Sequence, residues 1–154
     1  MDSKIIIKKT KKYNKALEIA KNLSDYFDKN GLKKIEKDLP KQLVYGIFKD
    51  NELIGFASYE KINSEVVELA WMAVNRNFQN KGFGTKLVKE SISNLGKKYK
   101  FCKVKTLAET YKDYGFKKTR NFYKKLGFVS LEIIQPFPGW KKNNPCQIFV
   151  KYLK

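Results

Sequence analysis

The order of apolar and polar positions divides the chain into short strands and amphipathic helices. Ile5-Ile6-Ile7 is an apolar run of buried-strand type. From Tyr13 to Phe27 the apolar positions Tyr13, Leu17, Ala20, Leu23 and Phe27 recur at helical spacing, and Asn30-Gly31 is the expected stop. Leu32 to Leu39 has the length of a second short helix, ended by Pro40. Leu43 to Phe48 and Leu53 to Tyr59 flank the polar Lys49-Asp50-Asn51-Glu52, which makes a hairpin. A polar turn at Asn63-Ser64 then leads into Val66 to Val74, a strand with one charge, Glu68, inside an otherwise apolar run.

From Gly82 onward Phe83, Leu87, Val88, Ile92 and Leu95 fall on one helical face, with Lys86, Lys89 and Glu90 on the other. Lys103 to Ala108 is the next strand, and the helical crossover before it makes it parallel to its predecessor. Parallel neighbours that diverge near a helix N-terminus leave a crevice at their C-terminal ends. Glu109 to Gly115 is polar and tyrosine-rich, a loop over that crevice. Lys117 to Leu126 reads as a helix stopped by Gly127, followed by strands at Phe128 to Ile134 and Gln147 to Tyr152. The last two are joined by Pro136-Phe137-Pro138-Gly139-Trp140 and a polar turn. A single domain over residues 1–154, with one mixed α/β sheet, accounts for every element.

The candidate chemistry collects at Gln79-Asn80-Lys81-Gly82-Phe83-Gly84, where glycines meet a helix start. Glycine lets the backbone approach a ligand closely, and the free amides and dipole of the first turn attract an anion, most simply phosphate. The spacing fits neither the dinucleotide fingerprint nor the P-loop, so glycine spacing alone leaves a plain helix-starting turn equally open.

The same six residues resemble the Q/R-x-x-G-x-G/A signature of the GNAT acetyltransferase superfamily, preceded as there by a strand ending in Ala73-Val74. Asn121-Phe122-Tyr123-Lys124-Lys125-Leu126-Gly127-Phe128 resembles the family's F-Y-x-K-x-G-F segment, in the expected order. Two ordered signatures are more specific than either alone. The resemblance covers most of the chain and weakens before about residue 40. It implies the GNAT fold: an α+β domain with a mixed central sheet of about seven strands flanked by helices, splayed between the fourth and fifth strands. It also implies an N-acetyltransferase with acetyl-coenzyme A as donor and a small-molecule or protein amine as acceptor.

By this resemblance, and because a bulged strand leaves amides unpaired, the backbone around Met72, Ala73 and Val74 holds the pantetheine arm and polarises the thioester. Gln79, Asn80, Lys81, Gly82, Phe83, Gly84 and Thr85 take the pyrophosphate. Tyr123 matches a tyrosine used as general acid towards the thiolate; the alternative is ordinary aromatic packing. Glu68 matches a glutamate base, and a carboxylate in an apolar strand is a candidate base on physical grounds too. It could equally face solvent at an edge or form a structural ion pair. Many members carry an asparagine seven residues before the tyrosine, where this chain has Phe116; Asn121 is the candidate replacement. Trp71, Tyr111, Tyr114 and Trp140 are candidates for an aromatic acceptor wall, rimmed by Glu109, Asp113 and Glu132 and suited to a cationic amine. Core or surface packing would explain each aromatic as well.

Composition narrows the classes further. With 154 residues, 42% of them hydrophobic, the chain can bury a real core. No apolar run approaches the roughly 20 residues of a membrane span, so no membrane association is expected. The N-terminus lacks a signal-peptide layout, so a cytoplasmic location is expected. Histidine is absent and Cys102 and Cys146 have no zinc-ligand spacing, so no metal site and no histidine-activated thiol is expected; Cys102 reads as a small buried residue. The net charge of +18 is nearly all lysine, with arginine only at positions 76 and 120, which argues against a dedicated nucleic-acid reader. A homodimer is compatible with this reading, and so is a catalytically silent coenzyme A-binding or nucleic-acid-associated module on the same fold.

Overall fold

The computed structural model describes residues 3–108 and 114–154. Seven strands form one sheet: β1 (Ile5–Lys9), β2 (Leu43–Lys49), β3 (Glu52–Lys61), β4 (Val66–Val74), β5 (Phe101–Leu107), β6 (Val129–Ile134) and β7 (Cys146–Tyr152). Among the described residues four α-helices accompany them: α1 (Tyr13–Lys21), α2 (Lys29–Asp38), α3 (Phe83–Leu95) and α4 (Tyr114–Lys125). The sheet order is β1-β2-β3-β4-β5-β7-β6, antiparallel throughout except for the parallel pair β4-β5. No helix among the described residues is long and apolar enough to cross a membrane.

Three helix boundaries differ from the sequence expectation. The first helix ends at Lys21, and Leu23 and Phe27 pack from the turns that follow. Asn30 and Gly31 stop nothing: they lie in the first turn of α2, where the Asp28 carboxylate accepts the Gly31 amide at 2.7 Å. A carboxylate cap of this kind fixes a helix start more firmly than an Asn-Gly pair breaks one. Of the loop expected over residues 109–115, Tyr114 and Gly115 instead open α4, and residues 109–113 lie outside the described residues.

Helices cover the sheet unequally. On one face α3 and α4 pack Leu87, Val88, Ile92 and Tyr123, with Leu126 just after α4, against Tyr59, Val67, Leu69, Cys102, Val104 and Phe149. On the other, α1 and α2 pack Ala16, Leu17, Ala20 and Ile35, with Leu39 just after α2, onto Val44, Phe56 and Ala73. Fully burying one such aliphatic or aromatic side chain contributes about 1.5–3 kcal/mol, so these two layers outweigh any surface pairing. Inside the first layer the Tyr59 hydroxyl lies 2.6 Å from Ser91 Oγ, which is itself 3.1 Å from the Val88 carbonyl. Ser91 has one proton, so donation to Val88 leaves Tyr59 as donor to Ser91.

Weakly acidic groups share that layer. Burial is the main cause that raises Tyr59 and Tyr123 well above the ordinary phenol value and pushes the Cys102 thiol up to about 12. A raised folded-state value gives stability that is complete below the unfolded value and lost as pH climbs through the folded one. Stability is therefore expected to hold to about pH 8 and then fall steadily towards pH 12. Tyr59→Phe, which removes one such group and leaves Ser91 bonded to Val88, should flatten part of that decline in urea unfolding followed across the alkaline range. An unchanged alkaline slope would contradict this origin.

Candidate active site

Parallel pairing between β4 and β5 runs from Val66↔Phe101 to Leu69↔Val104 and then stops. Both strands continue, β4 along β3 to Val74 and β5 along β7 to Leu107, so they part as a V. The parting coincides with a bulge: Tyr59 faces Leu69 and Ser58 faces Trp71, which leaves Ala70 as the extra residue of β4. Beyond it the Asn75 amide donates to Ile54 O on β3 at 2.7 Å. Strand alternation then turns the amides of Met72 and Val74 to the other edge, which β5 has left. Gln79 Nε2 reaches the Val74 carbonyl from that edge at 2.9 Å, in agreement with this orientation.

The glycine corner stands at the mouth of the V. Gly82 is the N-cap of α3 with φ +83, and no side chain caps the helix. The first bond of the helix is Lys86 N–H to Gly82 O at 3.1 Å, which leaves the amides of Phe83, Gly84 and Thr85 for an outside acceptor. Asn80, Lys81 and Gly82 are exposed. The Lys81 ammonium stands over the Phe78 ring at 6.0 Å, and Phe78 meets Phe83 edge to face. Gln79 spends its side-chain amide on bracing the loop to β4, so its contribution to a ligand would come through position. Gly84 packs closely on β4: a Cβ there would lie 2.9 Å from Met72 Cε.

Tyr123 and Glu68 approach the V from opposite faces. Tyr123 is buried on the core side of α4, with ring contacts to Phe122, Phe128 and Phe149, and burial holds it in the phenol form far into the alkaline range. Asn121 is exposed on the outer side of α4, and Phe116 is exposed as well. Glu68 is 5% exposed on the α1-α2 face. Of the surroundings the sequence left open, apolar strand, solvent edge or ion pair, the structure shows the ion pair: Lys103 Nζ lies 3.4 Å from Oε1 and Lys105 Nζ 3.3 Å from Oε2. The register places Glu68 opposite Lys103, and alternation along β5 brings Lys105 to the same face. Each contact is worth on the order of 4 kcal/mol at an effective dielectric near 20, before desolvation is subtracted.

The aromatic candidates divide. The bulge puts Trp71 on the same face as Glu68, where its Nε1–H donates to Asp38 Oδ2 at 3.0 Å and its ring meets Phe27 edge to face. Trp140 stacks obliquely on Phe137, and Phe137 in turn lies under the Lys105 ammonium at 5.1 Å. Glu109, Tyr111 and Asp113 lie outside the described residues, as does the Tyr114 side chain. Glu132 is exposed on β6, two strands beyond β5.

Sequence reasoning missed Lys103, Lys105, Asp38 and Arg120. Arg120 is 7% exposed and donates to the Leu107 and Ala108 carbonyls at 2.9 and 3.3 Å, which ties α4 to the end of the diverging β5. The Lys-Val-Lys alternation of β5 was a visible signal for the first two, but their partner required the strand register.

A V-shaped opening lined by strand amides, beside an uncapped helix start, is the architecture of an acyl-coenzyme A binding fold. The family model described as acetyltransferase (GNAT) family matches residues 11–128, and the chain belongs to that family. No curated protein sequence matches it. Among solved structures, a GNAT-family protein from Desulfovibrio desulfuricans superposes with a TM-score of 0.84 at 14% identity, covering 98% of this chain and 100% of that one. A GNAT acetyltransferase from Elizabethkingia anophelis, solved with acetyl-CoA bound, gives 0.71 at 21% identity, covering 96% and 97%. The ribosomal-protein-S18-alanine N-acetyltransferase of Escherichia coli gives 0.73 at 16% identity, covering 98% and 95%. The expected fold and enzyme class, an acetyl-coenzyme A dependent acetyltransferase, agree with these findings.

The two glycines make separable predictions. At Gly82 a Cβ has open space, but the left-handed backbone remains, so Gly82→Ala should lower stability by about 1–2 kcal/mol. At Gly84 the added methyl displaces Met72 from the V, so Gly84→Ala should weaken coenzyme A binding more than it lowers stability. Denaturant unfolding beside calorimetric titration with coenzyme A checks both. The reverse ranking would contradict the assignment.

Proposed function

We propose that the protein transfers the acetyl group of acetyl-coenzyme A to a primary amine by direct attack. The observation that carries this reading is the pair of outward amides at Met72 and Val74, set beside the free first-turn amides of α3. The α3 start takes the pyrophosphate, and the strand amides hold the pantetheine arm and the thioester oxygen, as donors aimed where negative charge develops.

Glu68 accepts a proton from the acceptor ammonium, once one of its oxygens is released from a lysine. The neutral amine adds to the thioester carbon, and the tetrahedral oxyanion rests on the strand amides. The carbon–sulfur bond then breaks. Tyr123 protonates the leaving thiolate and recovers its proton from the nitrogen that has become an amide. In total the ammonium loses two protons: one ends on the coenzyme A thiol and the other leaves through Glu68 to solvent. Tyr123 and Glu68 stand on opposite sides of the sheet, so donor and acceptor can enter from different faces.

Release of free thiol from acetyl-coenzyme A, measured with a panel of amines, tests the reading. Tyr123→Phe should lower kcat by about 10²-fold or more while acetyl-coenzyme A binding holds, and Glu68→Gln should lower kcat/KM for the acceptor amine by about 10²-fold with donor binding likewise unchanged. Thiol release that is absent with every amine, in a protein that still binds the donor, would favour a silent coenzyme A-binding module.

A further inference from the structure

The α1-α2 face next to the V carries two ammonium groups for one buried carboxylate. Lys103 and Lys105 each engage one oxygen of Glu68, and their side chains keep 31% and 29% of their surface exposed. Their remaining N–H donors are therefore within reach of solvent and of a ligand. Carboxylates elsewhere on this face do not cancel the excess at β5. Asp38 is bonded to the Trp71 indole, and Glu60 is exposed on β3, on the side of β4 away from β5.

We infer that Lys103 and Lys105 receive a carboxylate of the acceptor, so that the chain acetylates an amine bearing a carboxylate close to its amino group, as in a free amino acid. The inference rests on the reading of the protein as an N-acetyltransferase and names its substrate class. Glu68 already displays the geometry that a carboxylate adopts here, one oxygen to each ammonium. An acceptor carboxylate of the same shape can take over the Lys105 contact. That exchange frees Glu68 Oε2 beside the acceptor nitrogen, so binding of the acid and release of the base become one event. The same excess charge disfavours the protonated form of a nearby amine and so favours the nucleophile.

The geometry argues against the polycationic acceptor that an aromatic wall rimmed by acids would suit. The Phe137 face is already held by Lys105 at 5.1 Å, so an incoming ammonium would meet a fixed one there. Glu132, the described member of that acidic rim, lies two strands away from β5.

The test compares amino acids with their C-terminal amides, their decarboxylated amines, spermidine and kanamycin in the thiol-release assay. A charged hydrogen bond of this kind contributes enough that the best amino acid should exceed its amide by roughly 10- to 100-fold in kcat/KM. Lys105→Met should lose a similar factor through the acceptor KM, with the acetyl-coenzyme A KM unchanged, and Lys105→Arg should recover part of it. Equal rates for acid and amide, or a preference for spermidine or kanamycin, would overturn the inference while leaving the acetyltransferase reading intact. Should no amine release thiol, tryptophan fluorescence of the coenzyme A complex still decides: the amino acids should perturb it in the wild type and not in Lys105→Met. The same response from acid and amide would overturn it.

Discussion

The molecule depends on one break in hydrogen bonding, the end of the β4-β5 ladder after Leu69 and Val104. Strands that could have continued as neighbours instead give their next residues to other partners. β4 stays on β3 through the bulge at Ala70, and β5 stays on β7 as far as Leu107. Backbone amides buried without a partner are costly, so an opening of this kind is stable only where a ligand or water can reach it. The opening is therefore both the weak line of the sheet and the place where the backbone can bind. Arg120 limits the divergence by fastening the end of β5 to α4 through two carbonyls.

The bulge also decides which side chains meet. Without the extra residue, Trp71 would alternate to the face opposite Glu68; with it, Trp71, Glu68, Lys103 and Lys105 share the face under α1 and α2, and Met72 turns towards α3 and Gly84. The α3-α4 face of the opening is thus built from backbone amides, glycines and buried aromatics, which on the proposed reading meet the donor. The α1-α2 face is built from charged and aromatic side chains, which on that reading meet the acceptor. Structural neighbours of this fold include an N-acetyltransferase of a ribosomal protein and an aminoglycoside 6'-N-acetyltransferase.

Much of this was legible in the residues. The hairpin at Asp50-Asn51, the helix start at Gly82 and the αL stop at Gly127 follow from turn chemistry that few other residues satisfy. The parallel crossover followed from the helix between β4 and β5. What could not be read was phase. A bulged strand is expected beside Met72 and Val74, but nothing in Leu69-Ala70-Trp71 marks Ala70 as the place of the bulge. Its cause lies in the pairing with Ser58 and Tyr59, far away in sequence. The surroundings of Glu68 were hidden for the same reason, since a lone carboxylate shows its lysines only once the β4-β5 register is known. The ends of α1 and α2 were missed where an Asp28 cap outweighed the Asn-Gly signal.

Amide hydrogen exchange resolved by residue tests the role of the opening most directly. In the free protein Met72 and Val74 should exchange much faster than Trp71 and Ala73, whose amides face β3. On addition of acetyl-coenzyme A, Met72, Val74, Phe83, Gly84 and Thr85 should slow together. If Met72 and Val74 are already as protected as Ala73, or keep their rates while the cofactor binds, the strand amides do not form the site.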